Sequence, residues 1–211
     1  MVAALLLSVG PAGARGKKDK AMTYAEALAL LRSSETMCRG AEALAKMGNQ
    51  AALMPLLDAH GAAEDAAART CTKEALAALG ARDQARKLAA SAKPVERHAA
   101  VTFMGMFKDD HHVALLGQLI DGDPEPSLRA HAVEVLWLQK RTGPWEPIMV
   151  KALDHADTAV RRTAAQALTG QWGTGVLTAL RKRLTVEKEP IVRTALESAI
   201  RSHEEHAATR K

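Results

Sequence analysis

His98 and His131 are the residues whose type and spacing come nearest to chemistry. Each stands three residues after an apolar residue, Val95 and Leu128, that anchors a recurring helical stripe, which predicts neighbouring imidazoles on adjacent helices. Two imidazoles begin a metal site, but a third ligand is needed, and Arg97 and Arg129 beside them disfavour a cation. A packed, hydrogen-bonded pair is the expectation. His111 and His112 point to different faces of whatever follows and read as a loop or a helix start. In His203-Glu204-Glu205-His206 the imidazoles stand at i, i+3, whereas the H-E-x-x-H zinc pattern requires i, i+4. That stretch lies in a polar C-terminal tail, where solvation is the default. The sequence has no Gly-rich phosphate loop, no G-x-S-x-G and no C-x-x-C. Triads are spatial, so a missing motif does not address them, and no residue here points to one. The expectation is a chain with no catalytic, cofactor or metal site.

Arginines offer the second chemistry. Arg69, Arg129, Arg161 and Arg193 each follow an apolar anchor, at Ala68, Leu128, Val160 and Val192. One reading is a ladder that pairs with aspartates of the preceding turn, such as Asp123 or Asp157, and fixes stacking. The other is a basic strip for an acidic partner or phosphates. The ladder is favoured because the arginine recurs with the anchor itself. Arg97, His98, Arg129, His131 and Arg162 are the candidate binding surface, with Arg181, Lys182 and Arg183 as further surface cations. Cys38 and Cys71 are separated by close to one repeat. A bridge closing that loop would contribute roughly 3–4 kcal/mol in the chain-entropy model. Two small buried thiols filling core space are the alternative, and both readings stand.

These residues are positioned by a repeat. Val160, Ala164, Ala167 and Leu168 lie at i, i+4, i+7 and i+8, one stripe of an α-helix, with Asp157 as its cap and Gly170 as its stop. Leu128, Ala132, Val135 and Leu136 repeat the pattern one unit earlier, and Val192, Leu196, Ala199 and Ile200 repeat it one unit later. The anchors Leu128, Val160 and Val192 are evenly spaced, and a fixed period of about 32 residues predicts a solenoid. Upstream, Thr23 caps a helix through Leu31, a second ends at Gly48, and Pro55 sits near the start of a third, where it is tolerated. The unit at Ala68 is trimmed, with Val95, Ala99, Thr102 and Phe103 as the next stripe and a short partner helix at 85–90 between. Strands have almost no support. The fold expected is all-α, a right-handed stack of about six helical hairpins over residues 23–205, with a polar tail at 206–211.

Composition sets the outer limits. Lys and Arg number 29 against 24 Asp and Glu, a net +5, whereas nucleic-acid binders are usually more lopsided. Nucleic acid is therefore disfavoured and a protein or peptide partner expected, with oligomeric state left open. Residues 1–14 hold an apolar run, Val2 to Val9, then Gly10-Pro11 and an A-x-A-like Ala12-Gly13-Ala14. A polar linker follows at 15–22. This reads as a secretory signal peptide lacking a preceding basic residue, and it predicts an exported, periplasmic bacterial protein, or a cytoplasmic one if the run is not a leader. The run is too short to span a bilayer, which takes about 20 residues.

The stretch Ala43-Leu44-Ala45-Lys46-Met47-Gly48-Asn49-Gln50-Ala51-Ala52-Leu53-Met54-Pro55-Leu56-Leu57 resembles the helix–turn–helix of short HEAT repeats. Asp123-Pro124-Glu125-Pro126-Ser127-Leu128-Arg129 and Asp157-Thr158-Ala159-Val160-Arg161-Arg162 resemble the turn and apolar-Arg opening of the phycobilin-lyase-type HEAT subclass. The resemblance covers about residues 23–203 and implies an α-solenoid that most often binds protein. Two members with chemistry supply the alternative, an enzyme or nucleic-acid binder. HEAT-like alkylpurine DNA glycosylases use a basic concave face with tryptophans and an acidic residue. Here Trp137, Trp145 and Trp172 fall at different repeat phases. Phycobilin lyases cradle a tetrapyrrole, and one Tyr and two Phe argue against so aromatic a site. Convergence of Arg97, His98, Arg129, His131 and Trp137 on one pocket would favour that alternative.

Overall fold

The computed structural model describes residues 21–139 and 144–209. The expected leader at 1–14, most of the linker, the Thr142-Gly143 turn and the last two residues lie outside the described residues. Within them run twelve α-helices and no strand: α1 (Tyr24–Leu30), α2 (Ser34–Met47), α3 (Leu53–Ala62), α4 (Ala66–Ala78), α5 (Ala81–Ala89), α6 (Pro94–Met106), α7 (Asp110–Gly122), α8 (Pro126–Leu138), α9 (Trp145–Ala152), α10 (Thr158–Ala167), α11 (Thr174–Val186) and α12 (Pro190–Thr209). No helix among the described residues is long and apolar enough to cross a membrane.

Local signals set the ends. Thr23 and Glu26 form a reciprocal capping box at α1. Asp65, Asp109 and Asp157 each accept a backbone N–H in the first turn of the helix they precede. Pro94, Pro126 and Pro190 open α6, α8 and α12, where the missing N–H has no intrahelical partner to lose. Gly170 follows α10 at φ +78°, a left-handed position that stops the helix as expected.

Each odd-numbered helix packs on the even-numbered helix after it, and the even helices also pack on one another. The result is an all-α solenoid of six hairpins. Leu44, Leu76, Phe103, Leu116, Leu136, Met149 and Leu168 are fully buried between layers, each burial giving about 1.5–3 kcal/mol. Packing among even helices runs from α2 to α4 and from α6 through α12, but is thin between α4 and α6, where α6 lies mainly on α5.

Three expectations are corrected. Val95 is no stripe anchor, being 59% exposed, while Ala100, Phe103 and Met104 are buried in the positions that Ala132, Val135 and Leu136 hold one repeat later. Glu96 thus occupies the anchor's place, and the register of this unit is one residue off the predicted one. The short partner helix is Ala81–Ala89, not 85–90, because α4 ends at Ala78 and Leu79-Gly80 is connection enough. The last helix runs to Thr209, through the stretch expected as a polar tail. Its added turn has a reason: Trp172 stacks on His206 with ring centroids 3.9 Å apart and meets His203 edge-on at 5.1 Å.

Candidate docking face

The solenoid presents two kinds of surface, and its arginines are divided between them. On the side of the turns, Arg69, Arg97, Arg129, Arg161 and Arg193 each donate to the backbone carbonyl six residues back: those of Ala63, Ser91, Asp123, His155 and Glu187, at 2.6–3.0 Å. Three then reach a carboxylate of the following turn. Arg97 grips Asp123 with two bonds of 2.6 and 3.1 Å, and Arg161 grips Glu187 with two of 2.8 and 3.2 Å. Arg129 reaches Asp157 at 2.6 Å. Each of these carboxylates also accepts the N–H two residues on, at Glu125, Ala159 and Glu189. Every rung therefore ties the turn before one even helix to the turn before the next.

The charge state follows from these bonds. The Arg161 guanidinium, outweighing burial, and further bonds from Glu189 N–H and Arg183 hold the Glu187 carboxyl down at about 2. Burial pushes Asp123 and Asp157 up, but their bonds from Arg97, Arg129 and backbone N–H groups outweigh it and hold both below the usual aspartate range.

The second surface is the outward face of the even helices, where successive helices leave shallow grooves. Between α8 and α10 a groove of about 310 Å³ is lined by Glu134, Trp137, Leu138, Thr163, Gln166 and Ala167, and is mostly apolar. Between α10 and α12 a groove of about 540 Å³ is lined by Arg162, Gln166, Thr169, Ile191, Thr194, Ala195 and Ser198. Trp137, Leu138 and Ile191, which line these grooves, are large apolar side chains exposed on this face.

Residues 113–201 match the family model for HEAT repeats. Among solved structures, a chain of the complex of CpcE and CpcF of phycocyanin lyase from Nostoc sp. PCC7120 superposes with a TM-score of 0.52 at 19% identity. The match covers 72% of this chain and 99% of that one. None of the curated proteins matches. Residues 113–201 are thus identified as HEAT repeats.

Within this helical array the five expected surface residues separate. Arg97 is only 7% exposed and serves as a ladder rung. The one-residue register error hid that, since Arg97 stands one repeat before Arg129, in the rung's own place. Arg129 is also a rung, as the ladder reading expected, but its carboxylate lies in the following turn and not the preceding one. His98 and His131 are neighbours, stacked with centroids 5.8 Å apart. Burial, and then the positive charge of His98, lower the His131 pKa. No group of three His, Cys, Asp or Glu able to hold a metal occurs among the described residues. Arg162 lines the α10/α12 groove. Arg97, Arg129 and Trp137 line three separate pockets and do not converge. Arg183 turns inward to Glu187 and Asp154, and Arg181 pairs with Glu204.

Sequence reasoning missed two features. His203 is buried, and its Nε2–H donates at 3.1 Å to Leu168 O, a carbonyl at the end of α10 that also accepts Gln171 N–H. Gln139 does the same for Met104 O at the end of α6. The signal was the equal sequence offset of each donor from the carbonyl it satisfies. The apolar row Trp137, Leu138 and Ile191 was also missed, because stripe-counting looks for the buried face. At the other end of the array, Cys38 and Cys71 form a disulfide joining α2 to α4, with Cα atoms 5.3 Å apart.

Proposed function

We propose that this HEAT-repeat chain is an exported, non-enzymatic scaffold of a bacterial periplasm that docks a protein or peptide along the outward face of its even-numbered helices. The observation that carries the reading is the set of exposed apolar side chains, Trp137, Leu138 and Ile191, on a face with open grooves between helices. Ordinary solvated faces scatter such residues singly. The solved structural neighbour lies in a complex of two proteins, which accords with a protein partner. Export is supported by the Val2–Val9 run with its A-x-A-like site and by a disulfide, a bond that persists in oxidising compartments.

A photo-crosslinking amino acid placed singly at Leu138, Ile191 and, as a control on the opposite layer, Ala114 tests the docking face in the native host. Discrete protein adducts are expected from the first two positions and none from the third. Adducts from Ala114 alone, or from all three alike, would remove the case for this face. N-terminal sequencing of the purified protein is expected to begin at Arg15.

A further inference from the structure

Arg162 stands apart from the other arginines of the array. It makes no ion pair among the described residues, and its Nε, shielded from solvent, has no hydrogen-bond partner. The guanidinium belongs to a groove whose other polar groups are neutral: Gln166, Thr169, Thr194 and Ser198. Glu197, the acid next to Ser198 on α12, is engaged by Arg193 at 3.6 Å. A half-buried guanidinium with a shielded, unpaired Nε–H among neutral polar groups is a receptor for an anion.

Gln166 also lines the neighbouring groove, so the Arg162 groove and the apolar Trp137–Leu138–Ala167 groove lie on the two flanks of α10 and share a wall. We propose that the two grooves form one bipartite site for an extended acidic peptide, which seats a large apolar side chain beside Trp137 and a carboxylate on Arg162. The inference rests on the docking reading above and names the chemistry of its partner. Neighbouring grooves across one helix lie about 8–10 Å apart, which about three residues of extended chain span. The motif is therefore an apolar residue and an Asp or Glu about three positions apart. A nucleic acid fits this face poorly. It needs many cations in a row, while Arg97, Arg129 and Arg161 are held by carboxylates; Glu134, lining the apolar groove, likewise confines the peptide's own carboxylate to the Arg162 side.

The test is selection of a random dodecapeptide phage library on the full oxidised chain. Enriched sequences are then measured as synthetic peptides by fluorescence anisotropy against the wild type and variants. Enrichment of Asp or Glu about three positions from Leu, Ile, Phe or Trp is expected. Binding should weaken at least tenfold in Arg162→Gln, less in Arg162→Lys, and fall as salt rises. Trp137→Ala should also weaken it, and Arg181→Gln, on an exposed pair elsewhere, should not. Circular dichroism melting of each variant separates lost binding from lost fold. Peptides that need Trp137 but show no acidic preference and ignore Arg162→Gln would overturn the inference and leave the docking face standing. Peptides that ignore both substitutions, or no enrichment at all, would overturn both.

Discussion

The two ends of the array solve one problem with different chemistry. From α6 to α12 neighbouring hairpins are tied by buried guanidinium–carboxylate rungs at Arg97–Asp123, Arg129–Asp157 and Arg161–Glu187. In the first four helices no such rung exists among the described residues. Arg69 keeps the bond to the carbonyl six residues back but is exposed, and Ser91, six residues before Arg97 as Asp123 and Glu187 are before their arginines, offers it no carboxylate. There α2 and α4 are joined by the Cys38–Cys71 disulfide. The junction between α4 and α6 has neither device and is where even-helix packing is thin. Stability in a solenoid is close to a sum over neighbours, so each end should fail to its own agent and leave the other closed.

The largest effect should come from cutting a rung. Arg161→Met leaves Glu187 buried with Arg183 as its remaining cation, and breaking a buried pair from one side costs about 3–5 kcal/mol. Thermal melting should register the loss, with amide exchange rising across α10–α12. Arg69→Met, the same change where the arginine is exposed, should cost under about 1 kcal/mol. Equal losses would mean that the rungs do not distinguish the two ends.

Next in size is reduction of the disulfide. The loop it closes, with a sequence separation of 33, corresponds to about 3–4 kcal/mol in the chain-entropy model. Dithiothreitol, or Cys71→Ala, should raise amide exchange in α1–α4 and leave α8–α12 unchanged. Opening of the whole chain under reductant would show that the α4–α6 junction transmits strain despite its thin packing.

Acid should act on the other end. Glu187 titrates at about 2 in the folded chain against 4.5 for an unperturbed glutamate. Its depressed pKa means that the unfolded chain takes up the proton first. The stabilisation is therefore complete above about pH 4.5 and is lost as pH falls towards 2, an effect of about 3 kcal/mol. Asp123 and Asp157 shift in the same direction. Between those pH values exchange should quicken in α6–α12 before α1–α4, and Arg161→Met should flatten the dependence.

What the sequence made legible follows the same division. The repeat period gave the helices, the stacking and the arginine ladder, because the buried stripe and the arginine beside it recur as one local pattern. Arg97 was misplaced because Glu96 fills the anchor's position and exposed Val95 next to it mimics one. No count of apolar residues tells these apart without knowing what faces them. The proposed docking face was illegible for a related reason. Trp137, Leu138 and Ile191 look like core residues until the opposite helix is seen not to cover them, while Arg162 becomes distinctive only once the arginines around it are seen to be paired.

The smallest effect sharpens the comparison within the laddered end. Gln139 and His203 stand two repeats apart, and so do the carbonyls they satisfy, Met104 O and Leu168 O. If the shared requirement is one buried donor at the end of the preceding even helix, the two side chains are interchangeable. His203→Gln should then cost less than His203→Leu, which leaves Leu168 O with Gln171 N–H alone and removes one bond of about 0.5–1.5 kcal/mol. Trp172 divides the outcomes further, since its edge contact with His203 is lost in both variants but its stack on His206 remains. Equal destabilisation by Gln and Leu in thermal melts would assign the role of His203 to that aromatic contact and not to the hydrogen bond.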